Sequence, residues 1–166
     1  MPPRVGNPPV VCNPKGRPFA VAGDADLLAL FRYVSVAYRF TSDTSRPTAQ
    51  GAVGRVFASR RPETCCDVQS LDSTFYHRAK EAVQCNVNTM LVVPIWDLAA
   101  HPDRSADSGL PPAAICELVM KDLDVDFVAV MKHMITCLEV NGAYNEMHVC
   151  CPVSLRYTCS TARYYT

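Results

Sequence analysis

The chain has 166 residues and a mass of 18.3 kDa, which suits a single domain, and 49% of its residues are hydrophobic, enough for a core. Sixteen basic and sixteen acidic residues give a formal net charge of zero, which disfavours a nucleic-acid binder that works by neutralising phosphates. The sequence shows neither a transmembrane run nor the apolar stretch of a signal peptide, so we expect a soluble, intracellular protein.

A proline-rich leader, residues 1–14, is expected to be extended. A short helical stretch, Asp26–Leu30, then leads into a predicted strand over about Arg32–Phe40, because that segment is rich in aromatic and β-branched residues. The polar segment Thr41–Gln50 is typical of a flexible loop. Two glycines three residues apart predict a short helix or turn at Gly51–Phe57, packed closely against a sheet.

The next three predicted elements are a helix and two strands. Ser70–Cys85 repeats apolar residues at spacings of three and four and begins with capping side chains, which predicts the helix. Met90–Trp96 predicts a strand with Pro94 at an edge or a bulge. A polar loop from Asp97 to Pro112, expected to be mobile, separates it from the strand Ile115–Met120.

A long apolar stripe near the end of the chain predicts the last helix. It runs from Phe127 to Leu138, with Asp124 or Asp126 as its cap and Asn141-Gly142 as its end. From Met147 onward the pattern fits either a last strand or a poorly ordered tail. The order of elements predicts an α+β fold, a sheet with helices on one face or at its ends.

Nine cysteines are the unusual feature of the composition. Their odd number, the adjacent pairs and the missing secretory signal argue against a disulfide framework. The Cys-x-x-Cys spacing of a zinc site is missing, so we expect no metal and no other cofactor. We interpret most of the cysteines as small buried side chains. Because Cys65, Cys66 and Cys85 bracket a predicted helix near several arginines, a thiol enzyme stays open as an alternative.

Two further features could carry chemistry. Ser35 follows Arg32 in a hydrophobic-x-Arg-x-x-Ser arrangement, which suits a basophilic kinase with Arg32 as the recognition residue, although a core-strand serine explains it as well. His77 and Glu81 are four residues apart and could serve acid–base work or a metal, but a surface helix is favoured. The motifs of serine hydrolases, zinc proteases and P-loop enzymes are missing, so we expect no enzyme.

Several segments, in one order, resemble the N-terminal region of the NIN-like proteins, which are regulators of the RWP-RK class. The segments are Gly16–Val21, Arg32–Ser35, Gly51–Phe57, Cys66–Ser70, Val92–Asp97, Glu117–Met120 and Cys137–Asn141. Within them, the residues that we take as the family motif are Gly51, Gly54, Arg55, Phe57, Pro94 and Glu117. The resemblance covers about residues 15–145.

This resemblance implies a GAF-like fold, a central antiparallel sheet with helices packed on it, for a regulatory domain at residues 15–145. The tail, residues 146–166, matches nothing, and the RWP-RK DNA-binding segment of the family is not expected in this chain. Family members are controlled by nitrate-triggered, calcium-dependent phosphorylation of a serine in an Arg-x-x-Ser context, to which Ser35 looks similar. The resemblance implies a nuclear or cytoplasmic location.

The leading hypothesis is therefore a non-catalytic regulatory domain that relays nitrogen status. Two alternatives are a free-standing GAF module that binds a small anion or metabolite and an interaction partner of full-length relatives. A GAF-type thiol reductase is less favoured. We expect protein partners, among them full-length relatives or a kinase, and no direct contact of this chain with nucleic acid or membrane.

Overall fold

Four α-helices and six strands form the part of the protein that the computed structural model describes: residues 10–12, 15–17, 19–21, 26–97, 110–140 and 147–148. In chain order the elements are β1 (Val11–Cys12), α1 (Asp26–Ser35), β2 (Phe40–Thr41), α2 (Pro47–Ser59), β3 (Glu63–Cys65), a 3-10 turn (Val68–Ser70), α3 (Ala79–Gln84), β4 (Thr89–Asp97), β5 (Ala114–Met120), α4 (Phe127–Val140) and β6 (Met147–His148). None of the described helices is long and apolar enough to cross a bilayer.

Strand β4 is the centre of an antiparallel sheet. It pairs with β5 along most of its length, from Thr89 opposite Met120 to Ile95 opposite Ala114. Strand β3 lies on the other side of β4, and β6 pairs with the end of β4. Strands β1 and β2 form a separate antiparallel ribbon, so part of the predicted leader is a strand. The helices and this antiparallel sheet confirm the predicted α+β class.

Pro94 lies in the central strand at a position where its missing N–H is tolerated. The Ala113 N–H donates to the Ile95 carbonyl, so the backbone polar groups of Ile95 point towards β5. Successive residues of a strand point to opposite sides, and the Pro94 nitrogen therefore faces away from β5. On that side β3 pairs only with residues 90–92 of β4, so it does not reach Pro94. The strand is central, but locally Pro94 has the unpaired position that the sequence predicts.

Alternate residues of β4 are buried against different helices. Met90 and Val92 pack with residues of α1, α2 and α3, whereas Leu91 and Val93 pack with α4. Helices therefore contact both sides of the sheet, and the expectation of helices on one face or at its ends was wrong. The period of two in side-chain direction is what divides the core into two clusters.

The segment Arg32–Phe40 was predicted to be a strand, and this prediction was wrong. Helix α1 continues to Ser35, a turn follows, and only Phe40 and Thr41 are extended. The helix persists because Leu28, Phe31 and Ser35 recur at spacings of three and four and meet the core, with Phe31 and Ser35 fully buried. Tertiary packing thus overrides the β preference of the aromatic and branched residues.

Two other element boundaries also differ from the predictions. Helix α2 begins at Pro47, inside the predicted loop Thr41–Gln50, because proline suits the first turn of a helix. Within Ser70–Cys85 only Ala79–Gln84 is α-helical. The Asp72 carboxylate accepts a hydrogen bond from the Thr74 N–H at 2.7 Å, which stabilises a turn at this point instead of a helix.

Helix α4 begins as predicted. Asp126 is its N-cap: its carboxylate accepts hydrogen bonds from the backbone N–H groups of Val128, at 3.0 Å, and Ala129, at 3.1 Å. Phe127, Met131 and Met134 form the buried stripe. The side chains of Ile135 and Leu138, the predicted end at Asn141-Gly142, most of the predicted loop Asp97–Pro112 and residues 149–166 lie outside the described residues.

Candidate functional site

A buried arginine, Arg78, connects helix α1 to the sheet. It directly precedes α3 and is 3% exposed. Its Nη1 donates a hydrogen bond to Ser35 Oγ in α1 at 3.0 Å, and its Nη2 donates to the carboxylate of Glu117 in β5. The guanidinium carbon also lies 5.1 to 5.3 Å from the centroids of three aromatic rings, those of Phe31, Phe40 and Tyr76.

The surroundings keep Arg78 charged. Burial by itself lowers the pKa of the guanidinium, but the neighbouring Glu117 and Tyr76 raise it, and the net pKa lies above its ordinary value. The aromatic faces add cation–π attraction. The core therefore contains a full positive charge opposite one carboxylate. Removing either partner would leave the other as an unpaired buried charge.

Two tyrosines and a second carboxylate adjoin this ion pair. Burial and a hydrogen bond to Glu81 raise the pKa of Tyr38 to about 12. Burial also raises the pKa of Tyr76. Both phenols are consequently neutral at physiological pH. The cluster of Ser35, Tyr38, Tyr76, Arg78, Glu81 and Glu117, which we call the Arg78 cluster, joins α1 and α3 to β5.

Ser35, the predicted phosphorylation site, is the last residue of α1 and is 2% exposed. Its hydroxyl donates to the Phe31 carbonyl at 2.6 Å and accepts from Arg78. The predicted recognition residue, Arg32, donates to the Arg17 carbonyl at 3.0 Å and lies 5.0 Å from the ring centroid of Phe19. A kinase could reach the Ser35 hydroxyl only after α1 moves away from Arg78.

Arg55, a motif residue on α2, binds two neighbouring segments of the chain. Its Nε donates to Glu63 Oε2 at 3.0 Å, and its Nη2 donates to Oε1 of the same carboxylate in β3. Its Nη1 donates to the Phe75 carbonyl at 2.7 Å, and its guanidinium carbon lies 3.6 Å from the Phe75 ring centroid. The bidentate ion pair between Arg55 and Glu63 is strong and directional. Phe57, another motif residue on this helix, is half-buried.

The two motif glycines permit a close approach of α2 to β2. Gly51 has a φ of 55°, which kinks the helix, and a Cβ there would lie 2.7 Å from the Phe40 ring. A Cβ on Gly54 would lie 2.1 Å from the Thr41 carbonyl oxygen. Only glycine fits these positions, so the motif is explained by packing, as the sequence indicated, although the partner strand belongs to the smaller ribbon.

His77 and Glu81 do not share a helical face, because α3 begins only at Ala79. The His77 Nε2 lies 2.6 Å from the Thr48 carbonyl oxygen, and its ring stacks on Phe40 with centroids 5.7 Å apart. Glu81 instead hydrogen-bonds Tyr38. Among the described residues, three His, Cys, Asp or Glu side chains never converge as a metal site would require.

Cys12, Cys65, Cys85 and Cys116 are free thiols, and each of them is at least half-buried. Cys65 packs with the α1–α3 cluster and Cys66 with the α4 cluster, so the adjacent pair is divided between the two faces of the sheet. Burial raises the pKa of Cys65, of Cys85 and of Cys116, the last to about 11. These thiols are protonated at neutral pH and are weak nucleophiles.

Two surface depressions accompany the cluster and the sheet. An open groove of about 520 Å³ lies at the C-terminal end of α1; its lining is Tyr33, Val34, Val36, Ala37, Tyr38 and Glu81. A second cleft, of about 500 Å³, lies between α4 and β5 and is almost wholly apolar; its lining is Leu118, Ala129, Val130, His133 and Met134. The first groove shares Tyr38 and Glu81 with the Arg78 cluster.

Sequence reasoning selected Ser35 and Glu117 but missed Arg78, the residue that joins them. Its partners are 43 and 39 residues away in the chain, so no local spacing could have identified the contact. The arrangement depends on tertiary structure alone.

No protein-family model matches the chain. Curated relatives include Protein NLP2 of Arabidopsis thaliana, 41% identical over 70 residues, which covers 42% of this chain and 7% of that protein. Protein NLP6 of Arabidopsis thaliana is 28% identical over 129 residues and Protein NLP1 of Oryza sativa subsp. japonica is 29% identical over 139 residues. Those two alignments cover 78% and 84% of this chain and 14% of each relative.

The chain thus spans from about a fourteenth to a seventh of the length of these relatives. Several of them align with more than three quarters of it, which confirms the resemblance seen in the motif residues. By sequence, this chain is a relative of the NIN-like proteins.

Proposed function

We propose that this chain is a non-catalytic regulatory domain with a GAF-like fold, and that it relays nitrogen status as the resemblance to the NIN-like proteins implies. The supporting observation is that the motif residues hold the core together. Gly54 allows the close approach of α2 to β2, Arg55 forms an ion pair with Glu63 of β3, and Glu117 is the counter-charge of the buried Arg78. The residues that characterise the resemblance have packing and pairing roles, as expected where a fold is shared rather than a reaction.

Ser35 is the proposed control point of this domain. A phosphate on its oxygen would bring about two negative charges next to Arg78, which already binds the Ser35 hydroxyl. It would compete with Glu117 for the guanidinium and add negative charge at the C-terminus of α1, where the helix dipole disfavours it. We expect the modified form to loosen α1 from the sheet.

A reporter assay tests this proposal. The chain is expressed in plant cells that carry a nitrate-responsive reporter, as wild type, as Ser35→Ala and as the control Ser73→Ala, which changes an exposed serine. We expect the wild type and the control to change the nitrate response of the reporter and Ser35→Ala to have no such effect. A wild-type chain without influence on the reporter would contradict the regulatory role.

The proposed mode of action is contact with a protein partner rather than with DNA. A net charge of zero gives no general attraction for phosphates. Co-purification of the tagged chain with a full-length NIN-like protein from the same cells is the expected result. Direct binding of the purified chain to promoter DNA at physiological salt would contradict this mode.

The apolar cleft between α4 and β5 favours a second candidate function, the binding of a small metabolite. In a thermal-shift screen, a ligand of this cleft would raise the melting temperature of the wild type. It would not do so for Ala129→Trp, which fills the cleft from an exposed position on α4. Nitrate belongs in the same screen, since a shift by nitrate but not by chloride would indicate direct sensing.

A further inference from the structure

Helix α1 has apolar residues on both its inner and its outer face. Seven of its ten residues are apolar, and the inner ones, among them Phe31, pack in the core. Leu27, Leu30 and Tyr33 are nevertheless 38%, 47% and 74% exposed. Large apolar side chains that are exposed side by side on one surface are typical of an interaction site. The outer face of α1 therefore has the composition of an interface.

The exposed residues form one stripe. Leu27, Leu30 and the half-buried Val34 follow one another at spacings of three and four, so they lie on the same side of the helix, and Tyr33 borders them. The stripe continues into the groove formed by Val36, Ala37 and Tyr38. Tyrosine and leucine in such a stripe supply large contact areas with few rotatable bonds.

We propose that this stripe is an interface between two copies of this chain, in which the two α1 helices pack antiparallel about a twofold axis near Leu30. In that arrangement Leu30 meets Leu30 of the second copy, and Leu27 meets the second copy's Tyr33 and Val34. Such an isologous contact uses one self-complementary surface twice.

The charges around the stripe favour a second copy as the occupant. Asp26 at the start of α1 and Arg39 beyond its end are both exposed. Antiparallel packing brings the acidic start of each helix to the end of the other helix that Arg39 follows, so Arg39 offers the opposite charge at both ends. Glu81 also lines the groove at that end, where it is hydrogen-bonded to Tyr38. The net charge of zero adds no long-range repulsion between copies. A partner with a strong charge of either sign would not gain from this balance.

The expected dimer is weak and depends on concentration. A helix of ten residues is about 15 Å long, which places the contact at the small end of specific interfaces. Sedimentation velocity of the 166-residue chain, from micromolar to near-millimolar concentration, should show a sedimentation coefficient that rises towards that of a dimer. A monomer over the whole range would overturn the proposal.

Charge substitutions at the axis test the register. Leu30→Glu and Leu30→Lys should each weaken self-association by at least about tenfold, the effect of losing a central contact, because like charges meet across the axis. An equimolar mixture of the two variants should associate again, since the axis then joins opposite charges. If the mixture stays monomeric, the twofold axis is not near Leu30 and the proposal fails.

A matched control and a second variant complete the experiment. Leu123→Glu places the same charge on a residue that is 66% exposed and far from α1 in the sequence, between β5 and α4. It should associate as the wild type does, and an equal loss would assign the contact to another surface. If Leu30→Glu strongly lowers the melting temperature, Tyr33→Glu is used in its place, because Tyr33 is more exposed. A Tyr33→Glu variant that still dimerises would refute the proposal.

Discussion

Arg78 brings a full charge into the core, and the cost of that burial is offset only while Glu117 is ionised opposite it. Glu117→Gln keeps the shape of the side chain but leaves the guanidinium without a counter-charge. We expect the free energy of unfolding to fall by about 3–5 kcal/mol, as for other broken buried pairs. Urea unfolding followed by circular dichroism measures this loss.

The control for this substitution is an exposed ion pair. Arg46 lies 3.6 Å from Asp43 with its side chain 75% exposed, so Arg46→Ala should cost less than about 1 kcal/mol. Replacing Arg78 and Glu117 together by Met and Leu should recover most of the stability lost by Glu117→Gln, because no charge then remains buried. Equal effects of Glu117→Gln and Arg46→Ala would contradict a buried, mutually dependent pair.

Gly54 illustrates how a single missing methyl group sets the distance between two elements. Gly54→Ala places a Cβ 2.1 Å from the backbone oxygen of Thr41, and a backbone atom cannot turn aside as a flexible side chain can. We expect a loss of roughly 1–3 kcal/mol despite the better helix propensity of alanine. Thermal unfolding compares it with Ser59→Ala, an exposed change on the same helix; equal melting temperatures would mean that α2 and β2 are not in tight contact.

At the scale of elements, α4 offers a direct test of capping. Asp126→Ala removes the acceptor of two backbone N–H groups, and we expect a loss of about 1 kcal/mol in the free energy of unfolding. Asp124→Ala is the matched control, since Asp124 is exposed and the cap bonds of α4 go to Asp126. Chemical denaturation of the two variants should differ in midpoint but not in slope. Equal midpoints would contradict the cap assignment.

The elements that the sequence predicted well are those with one dominant signal. Helix α4 combines a cap with a regular apolar stripe, and β4 and β5 are short apolar runs between polar segments. Helix α1 was misread because Tyr33, Val34 and Val36 favour a strand by residue type, and the local sequence does not show that Phe31 and Ser35 pack in the core. The turn at Asp72 was missed because local side-chain hydrogen bonds compete with a helix in a way that spacing does not record.

The candidate site was predictable only in part, for a related reason. Glu117 and Arg55 were selected by resemblance, and their ion pairs explain why those residue types occur there. Ser35 was selected because it follows Arg32 by three residues in the sequence. In the structure, however, its hydroxyl is hydrogen-bonded to Phe31 and Arg78. Contacts between residues about forty positions apart follow from how the helices lie on the sheet, which the sequence pattern does not specify.

At the scale of the whole molecule, the two core clusters meet at β4 and β5. Met90 and Val92 belong to one cluster, and Leu91 and Val93 to the other. The Arg78 cluster lies on the α1–α3 side, where it adds polar links to a layer that is otherwise apolar. A change that loosens α1 therefore acts first on one side of the sheet, while α4 keeps its own contacts with the other.

Half-buried phenol and thiol groups on the two sides of the sheet make the stability of the fold sensitive to alkaline pH. Unfolded cysteines and tyrosines ionise near pH 9 and 10, whereas the native pKa is about 11 for Cys116 and about 12 for Tyr38. The native state therefore holds protons that the unfolded chain has released, so stability, complete below pH 9, falls as pH rises towards 12.

Urea midpoints measured between pH 7.5 and pH 10.5 should decrease steadily above about pH 9, where unfolded thiols begin to ionise. Tyr38→Phe removes one of the groups that native structure keeps protonated, so its midpoint should fall less steeply at the alkaline end of this range. Thr44→Ala, an exposed change without a titrating group, should follow the wild-type curve. A midpoint independent of pH in this range would mean that the phenol and the thiols are open to water, which is incompatible with the packing of α1 and β5 described above.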